Sequence, residues 1–328
     1  MALGSIELRL YVYTGTENSY TDADLKYTIS KNRITGEENI VLEIAELVRD
    51  YLDIEFNDDY VCNTKWVTAI VYYYDDTGTS YTSGSPANYT FIAAEGYGMF
   101  EDGINPELQK HALITSNTIY LPEGTAGKLP IFAEGVGKVN IDNTDTQITD
   151  SGDSSQKIQY ITIPADSSSI KVYDTDDTTL LKTINVINVC EPKFTTYKVS
   201  FINKYGAYED VYFTKKTTEE FNITKEEYKT NSIDTSNVTY KTYGVQSQMY
   251  NVNAKTKLTL NTGYINEDYV SSIEELLLSE NIWIRFESKT LPINTVTSNI
   301  QKKSSLNDKL INYTLEFEFA FDKINNIR

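Results

Sequence analysis

Histidine and cysteine are scarce in this 328-residue sequence, which contains one histidine, His111, and two cysteines, Cys62 and Cys190. Zinc sites and serine- or cysteine-dependent active sites need clusters of such residues, and a disulfide framework needs several cysteine pairs. The motifs GxxxxGK(S/T), GxSxG, HExxH and CxxC do not occur. The sequence therefore predicts a protein that is not an enzyme, with no catalytic residue, no cofactor, no cofactor-binding residue and no metal ligand.

The isolated reactive side chains have simpler interpretations. His111 lies in the polar stretch ELQKHALI, where a surface position is favoured over a role as general base. We expect Cys62 and Cys190 to be free, buried thiols, although the sequence leaves a disulfide between them open. The acidic group at residues 142–153 follows no twelve-residue calcium loop, so solvated turns are favoured there.

Basic residues and long apolar runs are also few. The chain has 47 acidic and 29 basic residues, which gives a net charge of −18. Such a charge repels phosphate and anionic lipid, so sequence-specific nucleic-acid binding is not expected. The sequence shows neither a secretory signal nor a run of eighteen apolar residues, so no membrane association is expected.

What the sequence has in abundance is strand-like alternation. Apolar residues occupy every second position from Ile6 to Val12, which is typical of a half-buried strand. The stretch Trp66–Tyr74 is apolar on both faces and predicts a central strand. Many shorter segments show the same signals, so we expect a mainly β fold with β-sandwich-like domains.

Two segments instead have helical spacing and predict short amphipathic helices. One covers Val41 to Leu52, and the other follows Asn266, an expected N-cap, with apolar residues up to Leu277. A strand with one of the two tryptophans, Trp66 or Trp283, follows each helix. The sequence therefore predicts β-helix-β units at both ends of the chain.

Three domains are predicted from these patterns. Residues 1–100 form an N-terminal β-helix-β domain, residues 101–190 a small β-sandwich-like domain, and residues 191–328 a C-terminal β-helix-β domain that ends in a long strand. The polar stretch 135–152 is expected to be an irregular loop.

The final strand has the clearest alternation in the chain. Every odd position from Ile311 to Phe321 is apolar, which predicts that this strand is locked into a sheet. The residues expected to be critical for the fold or for assembly are Trp66, Trp283, Tyr313, Phe317, Phe319 and Phe321.

Three blocks of the C-terminal part support a family resemblance. They are YKVSFINKYGAYEDVYFTKK (197–216), LTLNTGYINEDYVSSIEELLLSENIWI (258–284) and SLNDKLINYTLEFEFAFDKINNIR (305–328). These blocks resemble tail proteins of crAss-like and related short-tailed bacteriophages of Bacteroidetes, in particular the tail hub and the ring proteins of the tail barrel.

The resemblance implies a non-enzymatic virion structural protein, made in the bacterial host cytoplasm. It implies a closed homo-oligomeric ring, twelvefold or sixfold, that lines or surrounds the DNA exit channel. Its partners would be other virion tail proteins, namely ring, portal-proximal, muzzle or fibre components, with genomic DNA only passing through.

Two other functions remain open at this stage. The alternative is a carbohydrate- or receptor-binding β-sandwich adhesin at the tail tip, for which the 26 tyrosines would supply binding platforms. A depolymerising enzyme would need a specific pair of carboxylates, and a chain with 47 acidic residues contains many chance pairs.

Overall fold

The structure of the protein is a computed structural model, which describes residues 3–81, 85–108, 111–191, 193–231, 233–234, 239–240, 242–303 and 311–324. Strands account for 47% of the residues and helices for 7%. The strands form several sheets, and the described residues include two α-helices. The predicted mainly β class with two helices is therefore confirmed.

The elements are numbered in chain order. The helices are α1 (Ala45–Arg49) and α2 (Val270–Leu278). The strands are β1 (Leu3–Tyr13), β2 (Leu25–Asn32), β3 (Lys65–Asp75), β4 (Ala87–Ala93), β5 (Thr118–Pro122), β6 (Gly127–Phe132), β7 (Lys138–Ile141), β8 (Thr144–Gln147), β9 (Ile158–Ile163), β10 (Ser169–Tyr173), β11 (Leu180–Val189), β12 (Tyr197–Ile202), β13 (Tyr208–Phe213), β14 (Thr218–Lys229), β15 (Ile233–Asp234), β16 (Thr239–Tyr240), β17 (Ser247–Asn261), β18 (Ile282–Phe286), β19 (Lys289–Thr295) and β20 (Thr314–Phe319).

The chain divides into two compact units. The first consists of Met1–Cys190, Ser200–Val211 and Asp268–Asn281, so α2 belongs to it. The second consists of Glu191–Val199, Tyr212–Glu267 and Ile282–Arg328. The three predicted domains, 1–100, 101–190 and 191–328, stay a prediction.

The described part of the first unit contains three whole sheets, with strand orders β2-β1-β3-β4, β5-β11-β10-β7-β8 and β6-β9, and it also includes residues of β12 and β13. In the first sheet, Leu8 and Leu10 of β1 pack with Val48 of α1 on one face. Trp66 and Ile70 of β3 pack on the other face. Because β3 lies between β1 and β4 and is covered on both faces, the predicted central strand is confirmed.

The first helix is shorter than its sequence pattern suggested. Only Ala45–Arg49 is helical, and Val41 lies outside with its side chain exposed. The carbonyl of Val41 accepts a hydrogen bond from Lys31 Nζ (2.6 Å), while the Ala45 N–H donates to Glu43 Oε1 (3.3 Å). In a longer helix the Ala45 N–H would donate to the Val41 carbonyl. Because the side chains of Lys31 and Glu43 bind these two groups instead, the helix starts later.

The start of the second helix also differs from the prediction. Tyr269, not Asn266, precedes the first helical residue, so the predicted N-cap is wrong. Asp268 turns its carboxylate to the Ser116 hydroxyl (2.8 Å) and the Asn117 N–H (2.6 Å). The residues just before α2 are thus held by bonds to a distant loop, which a local capping pattern does not contain.

Residues 135–152 were predicted to be an irregular loop, and this prediction is wrong for part of the stretch. They contain the hairpin β7–β8, whose turn residues Asp142 and Asn143 have φ values of 45° and 70°. Asp and Asn tolerate positive φ, which a two-residue hairpin turn of this kind requires. Val139 and Ile141 are buried on one face, a short alternation that the polar surroundings obscured.

The second unit contains strands β18, β19, β20, β17 and β14, adjacent in that order. Strand β20 lies between two antiparallel neighbours, with Phe317 opposite Leu258 on one side and Thr295 on the other. The prediction of a C-terminal strand locked into a sheet is therefore confirmed for Thr314–Phe319. Residues 305–310 and 325–328 of the resembling block lie outside the described residues.

The two ends of the predicted C-terminal strand behave differently. Ile311 is buried and forms a single antiparallel bridge with Ile265. Phe321 is 41% exposed, so its expected burial is wrong. After Phe319 the Ala320 N–H donates to the Pro292 carbonyl (3.0 Å) and the strand ends, so Phe321 no longer follows the alternation.

Candidate assembly surface

The most unusual surface of the second unit is a two-stranded ribbon, formed by β14 and residues 247–253 of β17. All twelve residues of β14 are exposed. Residues 247–252 of β17 are exposed too, whereas Ala254 and the alternate residues beyond it are buried. The same strand thus leaves the core and continues as part of the ribbon.

A β-bulge accompanies this departure from the core. Thr224 pairs with Asn253 and Glu226 with Tyr250, so two residues of β17 lie opposite one residue of β14. Asn251 has a φ of 48° at this position. A bulge bends a strand and changes which face its side chains point to, so the apolar alternation of the core is not continued along the ribbon.

The ribbon exposes large apolar side chains. Phe221 is 53% and Ile223 60% exposed, and the others are Tyr228, Met249, Tyr250 and Val252. The rings of Tyr228 and Tyr250 meet edge to face at 5.7 Å. A two-stranded hairpin is at best marginally stable alone in water, and contiguous exposed apolar surface marks interaction sites. The ribbon is therefore a candidate docking element.

The outer edge of the ribbon adds backbone groups to this surface. Strand β14 is last in its sheet, and no other described strand pairs with its outer edge. Its unpaired N–H and C=O groups could bind a strand from a partner. Only residues 224–229 of β14 pair with residues 247–253 of β17, so the two-stranded part extends over about 20 Å at ~3.4 Å per residue and is about 10 Å wide. Its two faces offer on the order of 400 Å², about half of one partner's share of a standard interface, and the exposed residues 218–223 of β14 extend this surface.

A small groove lies at the base of the ribbon, with a cavity volume of 310 Å³. Glu219 and Thr256 line it on one side, and Phe319 and Phe321 on another. The rings of Phe319 and Phe321 are 5.3 Å apart. The exposed Phe321 is thus part of an apolar surface beside the ribbon.

Most of the residues expected to be critical are parts of cores. Trp66 is buried in the first unit and its indole N–H donates to the Asp153 carbonyl (3.0 Å). In the second unit, Tyr313 donates its hydroxyl to the Gln301 carbonyl (3.2 Å), and Phe317 is fully buried. These positions indicate structural roles.

The remaining predicted residues lie close to the sheet of the second unit. Trp283 is half-buried in β18 opposite Pro292. Phe319 is buried against Phe286, with 5.5 Å between the rings. The structure places the rings of Phe319 and Phe321 in contact. The ribbon beside them was not predicted from the sequence.

A larger cavity of 710 Å³ lies in the first unit beside α1. Leu42, Val48 and Ile92 contribute apolar lining, and Arg49 lies among the lining residues. The guanidinium of Arg49 donates to Glu95 (2.7 Å) and to Glu280, so its charge is already paired. The cavity thus has a mixed polar and apolar lining, and its arginine is not available to an anionic ligand.

The isolated reactive side chains do not form a reactive centre in the described ranges. His111 is exposed, and no disulfide joins Cys62 to Cys190. Cys62 is half-buried and Cys190 is exposed, so the expected burial of both thiols is wrong. The described residues contain no group of three or more His, Cys, Asp or Glu side chains arranged for a metal ion. Neither described helix is long and apolar enough to cross a membrane.

Comparisons with known protein families and with curated protein sequences found no match to this chain.

Proposed function

We propose that this protein is a non-enzymatic structural component of a bacteriophage tail, a hub or ring protein whose copies form a closed ring. The observation that carries the proposal is the ribbon, which exposes both faces and one edge of a twelve-residue strand. A protein that acted alone would gain nothing from leaving so much apolar surface in water. The resemblance of the C-terminal blocks to phage tail proteins supplies the biological setting.

Ring closure explains why one subunit would carry such an arm. Subunits of a ring contact each other through two different surfaces, one donating and one accepting. The ribbon is suited to donate, because it combines apolar side chains with an unpaired strand edge. In this proposal the β-helix-β units at the two ends and the sandwich-like middle domain form the body that carries the ribbon.

The charge of the chain agrees with a ring around DNA. With a net charge of −18, the protein would repel phosphate, so genomic DNA could pass without adhering to the wall. The proposed partners are further copies in a sixfold or twelvefold ring and neighbouring virion tail proteins. The proposed location is the virion tail, after synthesis in the host cytoplasm.

The particle mass of the full chain tests this proposal. Native mass spectrometry and light scattering should show a closed oligomer for the parent protein, alone or with its virion neighbours. The triple variant Phe221→Ser, Ile223→Ser, Tyr250→Ser should stay monomeric and keep its melting temperature, because these side chains are exposed in the monomer.

The matched control replaces exposed apolar residues outside the ribbon, Leu180→Ser and Ile187→Ser in β11. This control should assemble like the parent. A parent protein that remains monomeric in every condition would refute the ring, and a triple variant that assembles normally would refute the role of the ribbon.

One observation favours the adhesin as a second candidate. Tyr228 and Tyr250 form an exposed aromatic pair, and the Tyr228 hydroxyl already donates to Gln248 Oε1 (2.9 Å). Sugars stack on such rings, and the neighbouring amide could bind their hydroxyl groups. A glycan array distinguishes the two functions, since a ring protein should bind no sugar and Tyr250→Ser should abolish binding by an adhesin.

A further inference from the structure

The first unit contains two buried carboxylates and a half-buried lysine that the proposed function does not use. Glu275 of α2 is 3% exposed, and Glu209 of β13 is 8% exposed. Lys182 of β11 is half-buried, and its charge acts on both carboxylates. We call these three residues, after the two buried carboxylates, the buried triad.

Each carboxylate of the buried triad is held by named donors. The Asn203 side-chain amide donates to Glu209 Oε2 (2.9 Å) and to the Leu113 carbonyl (2.6 Å). Glu275 accepts hydrogen bonds from the Thr115 hydroxyl and from the Lys204 N–H (3.3 Å). Both side chains are therefore fixed in place and cannot turn to solvent without breaking these bonds.

The ammonium group of Lys182 is bound by backbone oxygens. Its Nζ donates to the carbonyls of Ile114 and Thr115, the latter at 3.2 Å. The charges of Lys182 and Lys204 both act on Glu275, but the two lysines are only half-buried, whereas both carboxylates are buried. Cations that are partly in solvent compensate two buried negative charges incompletely, and a proton on one carboxyl group removes the remaining cost.

The surroundings favour the protonated form of the pair. Burial and then the charge of Glu275 raise the pKa of Glu209 from 4.5 to about 7. Burial raises the pKa of Glu275 and lowers the pKa of Lys182. The other titratable groups around the buried triad are Tyr97, Lys204, Asp268 and Glu274.

We propose that the buried triad is a proton-operated lock that holds α2 in the first unit. The lock is closed while one carboxyl group of the pair keeps its proton, and it loosens when both are ionised. Residues 268–281, which include α2, enter the first unit from a distant part of the chain. When both carboxyl groups are ionised, the cost of the buried charge on Glu275 is therefore relieved most directly if α2 partly separates from the rest of the first unit.

The sign of the effect follows from proton linkage. Between pH 4.5 and about 7 the folded state binds more protons than an opened state in which Glu209 titrates normally. The lock is strongest at acid pH and weakens as the pH rises through 7. For Glu209 alone, the equilibrium for local opening should increase on the order of 30-fold between pH 5.5 and pH 8.5.

Hydrogen–deuterium exchange of the full-length protein measures this opening. Protection factors of α2 peptides, corrected for the intrinsic pH dependence of exchange, should fall by roughly 30-fold from pH 5.5 to 8.5. Peptides of β3 should change much less. Because this measurement needs no substitution, it cannot fail through misfolding of a variant.

Two variants identify the groups responsible. Glu209→Gln keeps an acceptor for Asn203 but has no ionisable proton, so the fall in α2 protection should largely disappear, and Glu275→Gln should act in the same direction. Glu46→Gln on the exposed side of α1 is the control and should retain the full fall. Unchanged α2 protection in the parent, or an equal fall in Glu209→Gln and the parent, would overturn the proposal.

Discussion

The C-terminal strand allows the most quantitative test of the fold. Phe317 is fully buried between β19 and β17, and its ring meets Phe213 edge to face at 5.9 Å. Replacing a buried phenylalanine by alanine typically costs about 3–5 kcal/mol, because burial is lost and a cavity remains. A typical domain is stable by about 5–15 kcal/mol. Phe317→Ala should therefore remove a large part of the stability of the second unit, and Phe317→Asp should unfold it.

The neighbouring acidic residues are matched controls on the other face of the same strand. Glu316 pairs with Lys257 (2.7 Å) and Glu318 with Lys255 (3.3 Å), and these side chains are partly exposed. Exposed ion pairs contribute about 0–1 kcal/mol. Glu316→Gln and Glu318→Gln should consequently cost less than about 1 kcal/mol each.

The assay must report the second unit alone, because a protein with two units need not unfold in one step. The chain has two tryptophans, Trp66 in the first unit and Trp283 in the second. In a Trp66→Phe background, tryptophan fluorescence during urea unfolding follows the second unit. A Phe317→Ala midpoint equal to that of its parent, or Glu316→Gln costing as much as Phe317→Ala, would refute this account of the strand.

Three further predictions follow from local features. Ending the chain at residue 310 removes β20 from between its neighbours, so the Trp283 transition should be lost in the same urea assay. Asn143→Val places a β-branched residue at a φ of 70° and should lower the melting temperature through a cost of about 1–3 kcal/mol, whereas Asn143→Gly should not. Thiol labelling of the native protein should modify the exposed Cys190 before the half-buried Cys62, and equal rates would contradict this order.

Local periodicity was sufficient to predict the strands whose apolar faces are covered by adjacent elements. The alternation around Phe317 predicts a strand with one buried face, and the double-sided apolar character of β3 predicts a central strand. Both predictions depend only on side chains two residues apart. They hold because side chains of other elements cover the faces that the pattern marks as apolar, as Val48 of α1 does for β3 and Phe213 for Phe317.

Local periodicity does not predict the structure where a contact with a residue distant in sequence determines it. Lys31 takes the Val41 carbonyl and shortens α1, and Asn117 binds Asp268 before α2. Glu275 resembles any acidic helix residue in the sequence, yet it is buried because Thr115 donates to it. No pattern within a few residues contains such long-range partners, so neither the helix starts nor the buried triad could be predicted.

Phe221 and Ile223 show why the ribbon was also missed. They alternate in sequence as Phe317 and Phe319 do, but the latter pair is buried and the former is exposed. The difference lies in whether another layer covers that part of the sheet, and this is a property of the assembled fold rather than of the strand.

The charges of β14 restrict which partners the ribbon can bind. Half of its twelve residues are charged, namely Glu219, Glu220, Lys225, Glu226, Glu227 and Lys229. Charged side chains on an edge strand oppose pairing with arbitrary strands, because most registers bury a charge or place like charges opposite each other. The ribbon therefore combines apolar side chains that favour a contact with charges that restrict which contact can form. That combination is expected of a specific docking arm and not of a strand that aggregates.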